Sequence, residues 1–301
     1  SGGGVAGGGV PPYGYLWDDP SDQTNNTASN LKAGIYQVII TDSRGCKDSI
    51  TDAVADPLPL VPTIIDSTDL TCFGSNDGSA IVQISGGTNP YQFLWSPSGI
   101  ANDTAIGLSS GVHTVTITDG NNCSTADSVT IDEPALLIVT IVDSADISCN
   151  GLTDGFAVAD AIGGTTPYDF VWYPSGIVAD TASLLDAGSN WVIVTDISGC
   201  SDSVGLTITE PPVLIADAGS SVAICAGASS QLGAAPTATG GISPYTYLWD
   251  PGISLDNNTL ANPTASPSIT TLYQLILTDS NGCVSTDSVQ VFVSPGFSII
   301  I

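Results

Sequence analysis

The sequence predicts an all-β protein made of tandem β-sandwich domains arranged as an extended rod. One phrase recurs four times along the 301 residues at a nearly fixed interval. Between the recurring tryptophans, short runs of β-branched residues alternate in polarity at every second position, as half-buried strands do. Clusters of Gly, Pro, Asn and Asp separate these runs and indicate turns. Short strands at regular spacing with turn signals are typical of β-sandwiches.

The repeat unit is about 77 residues long, and its anchors set the domain bounds. Its tryptophans, Trp17, Trp95, Trp172 and Trp249, follow one another at 78, 77 and 77 residues. Acidic-Pro junctions recur at Asp56-Pro57, Glu133-Pro134 and Glu210-Pro211. We therefore predict domains at 1–56, 57–133, 134–210 and 211–295, with 296–301 as the start of a linker or next unit. The first domain lacks the front of the repeat, so we expect the chain to be an excerpt of a longer polypeptide.

The strands can be placed most clearly in the second domain. The run from Gly111 to Asp119, GVHTVTITD, puts His113, Val115 and Ile117 on one face of a strand. Strands are predicted near 59–66, 79–85, 91–95, 104–108, 112–119 and 125–132. The tryptophan of the third strand is expected at the centre of the core in every domain, where it would bury on the order of 200 Å².

Charge excludes two classes of partner. The chain has 30 acidic and 3 basic residues, a formal net charge of −27. Binding to nucleic acid or to an anionic membrane surface requires many Lys and Arg residues, so neither is expected. Because no run of 18 apolar residues occurs, we expect no membrane span in this fragment.

The seven cysteines fit the repeat. Cys72 and Cys123 are 51 residues apart, as are Cys149 and Cys200, and the interval from Cys225 to Cys283 is 58. We expect a disulfide within each of these pairs, because the two loops that carry them can lie at the same end of a sandwich. Cys46 occupies the second position, so its partner is expected upstream of Ser1. A metal site is the alternative, although the chain has no CxxC and one histidine. Disulfides would imply an oxidising, extracellular setting.

No catalytic residues are predicted. His113 is the single histidine, and the other domains have Tyr36, Asn190 and Tyr273 at its position. A position that accepts Tyr, Asn and His is typical of a core rim rather than a general base, and no repeated Ser-His-Asp set can be assembled.

The aspartates that recur at matching positions of the repeats suggest one possible cofactor, a calcium ion. Matching loops contain Asp77 and Asp154, and matching turns contain Asp119, Asp196 and Asp279. Carboxylates and loop carbonyls could coordinate calcium at a joint between domains. The alternative is that each Asp stabilises its own turn by bonding the backbone.

The second and third domains resemble the SprB-type repeat of large surface adhesins of gliding and related Bacteroidota. The resemblance rests on CFGSNDGSAIVQISGGTNPYQFLW with GVHTVTITDGNNCSTADSVTIDEP, and on CNGLTDGFAVADAIGGTTPYDFVW with TDISGCSDSVGLTITEP. The fourth domain is more similar to the PKD-like or Ig-like modules found beside such repeats. The resemblance implies Ig-like sandwiches on a cell surface, exported by the type IX secretion system.

The resemblance also implies sugar attachment, because Bacteroidota O-glycosylate Asp-Ser/Thr motifs of exported proteins. Candidate acceptors are Ser49, Ser67, Thr104, Ser128, Ser144, Thr181, Ser203 and Ser288. The alternative is that Asp-Ser is copied by the repeat and begins the last strand of each domain.

Three functions compete at this point. The first is a non-catalytic adhesive stalk or surface filament, with an unknown surface or glycan ligand and self-association as a further option. The second is a carbohydrate-binding module, which would need exposed aromatic residues where this sequence places them in cores. The third is a spacer attached to a secreted hydrolase.

Overall fold

A computed structural model describes residues 2–296 of the chain, and these residues form 25 β-strands. The all-β class and the tandem arrangement of Ig-like sandwiches predicted from the sequence are confirmed. We number the four repeats as modules one to four, with the predicted bounds. Except for Gly296, the predicted terminal segment 296–301 lies outside the described residues.

Module one contains five strands in two small sheets, ordered β1-β3 and β2-β4-β5. The strands are β1 (Gly2–Gly3), β2 (Gly14–Trp17), β3 (Thr27–Ala28), β4 (Gly34–Thr41) and β5 (Lys47–Val54).

Modules two and three share one topology, in which two three-stranded antiparallel sheets enclose the core. Module two comprises β6 (Val61–Thr68), β7 (Gly78–Ser85), β8 (Gln92–Ser96), β9 (Thr104–Leu108), β10 (Gly111–Thr118) and β11 (Ser124–Ile131). Module three comprises β12 (Ile138–Ala145), β13 (Gly155–Ile162), β14 (Tyr168–Tyr173), β15 (Thr181–Leu185), β16 (Gly188–Asp196) and β17 (Ser201–Ile208). The sheets are ordered β6-β7-β9 and β8-β10-β11, then β12-β13-β15 and β14-β16-β17.

Module four is built around a four-stranded sheet, ordered β19-β25-β24-β22, in which β19 runs parallel to β25. Two two-stranded sheets, β18-β21 and β20-β23, complete it. Its strands are β18 (Ile215–Ala216), β19 (Val222–Cys225), β20 (Ser230–Gln231), β21 (Ala238–Thr239), β22 (Thr246–Asp250), β23 (Thr264–Ala265), β24 (Thr271–Thr278) and β25 (Val284–Ser294).

Each module has its own hydrophobic core around its tryptophan. Trp172 is fully buried among residues that include Val192, Val194 and Ile208, and its indole N–H donates to the Ala179 carbonyl at 2.9 Å. The other three indoles make the equivalent bond, so the polar edge of every buried ring is satisfied.

The described chain separates into two compact units. One contains the residues up to Leu70 together with Gly74–Glu133, and the other contains Thr71–Phe73 together with the residues from Pro134 onward. The short segment Thr71–Phe73 therefore leaves module two and belongs to the unit formed by modules three and four.

Candidate functional site: the two poles of each module

At one end of module three, the buried Asp196 carboxylate joins two loops. Its Oδ1 accepts the Cys200 backbone N–H at 2.9 Å, and its Oδ2 accepts the Thr165 N–H at 2.8 Å. Burial acts to raise the pKa of Asp196, but the backbone hydrogen bonds outweigh it and the pKa lies below its ordinary value. We call this end, formed by Gly163–Pro167 and Asp196–Cys200, the turn pole.

The turn pole has the same construction in every module. Asp42, Asp119 and Asp279 each accept the backbone N–H of the cysteine four residues later, at 2.9 Å in all three. Each also accepts an N–H from the loop before the tryptophan strand, donated by Val10, Thr88 and Ile242 respectively. The pKa of each carboxyl is lowered. For Asp42 and Asp119, the backbone hydrogen bonds from Val10 and Cys123 are the largest causes.

The Gly-Gly pair of the repeat is explained by a close backbone approach at the same pole. Gly163 has φ +78°, and a Cβ on it would lie 1.9 Å from the Leu136 carbonyl oxygen. The Gly163 carbonyl accepts the Tyr168 hydroxyl at 2.5 Å. The motif GG-x-x-PY therefore folds back on itself and leaves no room for a side chain at its first position.

The opposite end of the module, which we call the loop pole, is formed by the C-x-G loop and the acidic-Pro junction. In module three these are Cys149–Gly151 and Glu210-Pro211. The Glu210 carboxylate accepts the Gly151 N–H at 2.9 Å, and the Asn150 side-chain amide donates to the Pro211 carbonyl at 3.0 Å. Glu133 and Gly74 repeat the first bond in module two at 2.9 Å. The junction acid therefore fixes the loop that carries the cysteine.

The disulfides do not close within modules, so the predicted pairing is wrong. Cys72 is bonded to Cys200, and Cys149 is bonded to Cys283, each with a Cα–Cα distance of 5.7 Å. The predicted pairs Cys72–Cys123, Cys149–Cys200 and Cys225–Cys283 do not form. Each bridge instead joins the C-x-G cysteine of one repeat to the turn cysteine of the next.

The strand register gives the physical reason for this correction. Module three has Cys200 immediately before β17, whereas Cys149 lies near the far end of that strand, where the Ile147 N–H donates to the Thr209 carbonyl. Eight residues of strand separate the two positions by about 26 Å. A disulfide needs Cα atoms within about 7 Å of each other, so the two cysteines of one module cannot meet.

The second bridge lies in a polar and partly open setting. Beside Cys283, the Asn281 side-chain amide donates to the Ser148 carbonyl at 2.9 Å. A cavity of about 350 Å³ borders the bridge and is lined by Cys149, Leu152, Gly241, Asp279 and Cys283, among others. The C-x-G loop of module three is therefore held at the turn pole of module four by a covalent bond and a hydrogen bond.

Three cysteines are free in the described structure, and all three are exposed: Cys46, Cys123 and Cys225. Cys46 and Cys123 occupy turn positions, and Cys225 occupies the C-x-G position. The predicted partner of Cys46, upstream of Ser1, lies outside the described residues.

His113 has the environment of a structural residue. It is 2% exposed, and its Nε2 lies 2.9 Å from the Ser109 carbonyl oxygen. Tyr36 and Asn190, at the same position of their modules, donate to the carbonyl four residues earlier in the same way. In modules one to three, the side chain at this position fixes the loop that precedes its strand, although the His113 Nδ1 is buried without a hydrogen-bond partner. In module four, the hydroxyl of the buried Tyr273 instead lies 2.7 Å from the Ser254 hydroxyl.

The five acids predicted for calcium are already hydrogen-bonded within the protein. Asp77 accepts the Ser75 hydroxyl, Asp154 accepts the Ser148 hydroxyl and N–H, and Asp119, Asp196 and Asp279 accept the backbone bonds described above. No cluster of three or more His, Cys, Asp or Glu residues within 2–296 is arranged to hold a metal ion. Calcium binding stays a prediction.

The candidate glycosylation residues share one property, which is exposure on strands or at strand ends. All eight are exposed: Ser49, Ser67, Thr104, Ser128, Ser144, Thr181, Ser203 and Ser288. Asp127, Asp202 and Asp287 of the motif also have a structural role. Asp127 and Asp202 accept a backbone N–H from the first strand of their module, and Asp287 accepts the N–H of Ala218, just after β18. The motif is thus explained in part by folding, and sugar attachment stays a prediction.

One surface feature was not found from the sequence. The rings of Tyr173 and Trp191 stack with centroids 5.9 Å apart and an interplanar angle of 12°. Both are partly exposed, Trp191 by 42%. Trp191 occurs only in module three and does not occupy the repeated tryptophan position. This difference in the sequence could have distinguished it from the core tryptophans.

A comparison with protein families finds matches in the second and third modules. The family model described as the SprB repeat matches residues 64–99 and 141–176. These two segments contain the C-x-G loop and the core tryptophan of modules two and three, so the predicted resemblance is confirmed there. No curated protein matches the chain.

Several solved structures are similar to the chain at low identity. Against the N-terminal eight Ig domains of Down Syndrome Cell Adhesion Molecule, identity is 13% and the TM-score 0.32, covering 94% of this chain and 44% of that one. Against the three N-terminal domains of the bacteriophage RB49 outer capsid protein Hoc, identity is 14% and the TM-score is 0.37. The match covers 78% of this chain and 100% of that one. Against Drosophila N-cadherin EC1–4, identity is 11% and the TM-score is 0.29, and the match covers 94% of this chain and 92% of that one. The chain thus spans less than half of the first of these structures.

Residues 2–296 contain no helix long and apolar enough to cross a bilayer.

Proposed function

We propose that the chain is part of an extracellular, non-catalytic stalk or surface filament, in which consecutive modules are clamped to each other covalently. The bridges that join one repeat to the next carry this proposal. A disulfide inside a module would stabilise that module alone. A bridge between modules also resists bending and separation, which is what a stalk displaying adhesive parts at a distance requires. Disulfides persist in oxidising settings, which supports a location outside the cell.

The polar groups of the poles support a structural role over catalysis. The turn acids and the junction acids accept backbone N–H groups, and the one histidine is buried against a carbonyl oxygen. Carboxylates engaged in this way hold loops in place, which supports a structural role. Many copies of a weakly adhesive surface along one stalk would bind by avidity.

Single-molecule stretching tests the covalent clamp. The variant Cys149→Ser/Cys283→Ser retains only the Cys72–Cys200 bridge, which encloses 128 residues. Adding reductant to the stretched variant should lengthen it by about 430 Å, at ~3.4 Å per residue. Closure within a module would release only about 170 Å, and an unchanged length would mean that no bridge bears tension; either result contradicts the proposal. As the control, Cys123→Ser is added to the same double variant. It alters no bridge, so the increase in length on reduction should be unchanged.

A second candidate, glycan binding, is favoured by the aromatic pair on module three. Exposed Tyr and Trp side chains are common at binding surfaces because they offer a large apolar area with a polar edge. The net charge of −27 favours neutral over anionic sugars. A glycan array should then show binding that Trp191→Ala removes, with Phe292→Ala, at an exposed aromatic residue of module four, as a control. No binding by the unaltered chain would eliminate this candidate.

A further inference from the structure

Module one has an open groove at its turn pole. A cavity of about 370 Å³ is lined by residues that include Gly9, Asp42, Cys46 and Lys47. The Cys46 thiol is free and exposed, and it lies in this lining.

The same groove in module four is already occupied by a loop. Gly241, Asp279, Cys283 and Val284 are the repeat equivalents of the four residues named above, and all four line the cavity at the second bridge. There the C-x-G loop of module three lines the opposite side, and its Cys149 is bonded to Cys283. At the turn pole of module three, Cys200 is likewise disulfide-bonded to a C-x-G cysteine, Cys72. Two of the four turn cysteines therefore show what the position binds.

The chain also offers a C-x-G loop without a bridge. Cys225 is exposed and free, and it is followed by Ala226 and Gly227. Gly227 has φ +87°, close to the +79° of Gly151 in the bridged loop. In both loops the cysteine carbonyl accepts an N–H from three residues further on, at 2.9 Å for Cys225 and 3.1 Å for Cys149. The free loop therefore shares the glycine conformation and the turn hydrogen bond of the bonded one, although Cys225 is also the last residue of β19.

Charge favours the groove of module one as a receptor for a second copy. All three basic residues of the chain, Lys32, Arg44 and Lys47, lie in this module, and two of them are within two residues of Cys46. The rest of the chain is strongly acidic, so a second copy is repelled least at this pole.

We propose that the groove beside Cys46 receives the Cys225 loop of a second copy of this chain, and that the two Sγ atoms form a disulfide. Like the two existing bridges, this bond joins a C-x-G cysteine to a turn cysteine, but it does so between two copies of the chain. It requires only the C-x-G loop and the turn pole, so it does not depend on the proposed stalk function.

The reaction is a thiol–disulfide exchange with a small-molecule disulfide as oxidant. The Cys46 thiolate attacks oxidised glutathione, which forms a mixed disulfide and releases one glutathione thiolate. The Cys225 thiolate of the second copy then attacks the Cys46 sulfur and releases the other glutathione. Two protein thiols are oxidised and one glutathione disulfide is reduced to two thiols, so electrons and protons balance.

The test mixes equal amounts of ¹⁴N- and ¹⁵N-labelled chain in oxidised glutathione. We expect disulfide-linked dimers and higher multimers on non-reducing gels. Mass spectrometry should find peptides that join Cys225 of one isotope to Cys46 of the other. Cys46→Ser and Cys225→Ser should each abolish that linkage, while Cys123→Ser should leave it intact.

Other outcomes would overturn the proposal. These are monomers carrying only glutathione adducts, Cys225–Cys46 peptides of which none joins the two isotopes, or joining of Cys225 to Cys123 as readily as to Cys46. Since all three variants alter exposed free cysteines, circular dichroism of each should match the parent chain, and the intact Cys149–Cys283 peptide confirms the fold in the same digest.

Discussion

At the scale of single residues, Gly163 shows how a close backbone approach fixes one position of the repeat. Gly163→Ala should lower the free energy of unfolding of module three by at least about 2 kcal/mol, since it combines a left-handed φ with a Cβ overlapping the Leu136 oxygen. Gly176→Ala is the matched control, because its φ is +74° and nothing lies within 4 Å of its added Cβ. Urea unfolding should show the larger loss for Gly163. Equal losses would mean that φ alone, and not the close approach, selects glycine.

Asp196 makes a second residue-scale prediction, which concerns pH. Its pKa is lower in the folded state, so the charged form stabilises the fold at neutral pH. This contribution is lost as the pH falls below the ordinary carboxyl value of about 3.9 and through the lowered pKa. Asp196→Asn should therefore destabilise module three at pH 7 and have less effect near pH 2, as measured by thermal unfolding. Asp169→Asn, at an exposed strand position, is the control. A destabilisation that is the same at both pH values would contradict the role of charge.

At the scale of strands, the Asp-Ser motif of the last strand connects the two sheets of a module. The Asp202 carboxylate on β17 accepts the Val139 N–H of β12 at 2.9 Å, beside a bulge at Ile141/Asp143 where the pairing of β12 with β13 shifts. Asp202→Ala should destabilise module three by about 1–3 kcal/mol, because the Val139 N–H loses its partner in a buried setting. Ser203→Ala changes an exposed side chain and should stay within about 0.5 kcal/mol. Equal denaturant midpoints for the two variants would refute the strand connection.

The strands were predictable because their local pattern agrees with their packing. In module two, the predicted run 112–119 corresponds to β10 (Gly111–Thr118), and the run 79–85 to β7 (Gly78–Ser85). Alternation of polarity in the local sequence is sufficient to predict such strands. The two-residue strands of module four, such as β20 (Ser230–Gln231), have too few residues to show any period.

The disulfide partners could not be read from the sequence, because spacing does not tell which end of a sandwich a loop occupies. In an exact repeat, the interval between a C-x-G cysteine and a turn cysteine is constant both within a module and between neighbouring modules. The intervals therefore cannot distinguish the two pairings. The hydrogen bond from Gly151 to Glu210 settles the question, since it puts the C-x-G loop beside the junction, one strand length away from Cys200. In the same way, the stacking of Trp191 on Tyr173 depends on which face of β16 is covered, and alternation alone assigns Trp191 only to the face opposite Asn190 and Val192.

At the scale of the whole molecule, the recurrence of the repeat along the sequence predicts an extended rod. The two poles of a module are separated by about the length of an eight-residue strand, roughly 26 Å. Small-angle X-ray scattering should give a maximum dimension on the order of 100 Å or more. The radius of gyration should be about 30 Å or more, whereas a compact chain of 301 residues would have about 19 Å. Because the bridges restrict bending, the double variant Cys72→Ser/Cys149→Ser should give a broader distance distribution while circular dichroism stays unchanged. A radius near 19 Å for the oxidised chain would mean that the modules fold back on one another, and the rod, together with the stalk function that depends on it, would have to be abandoned.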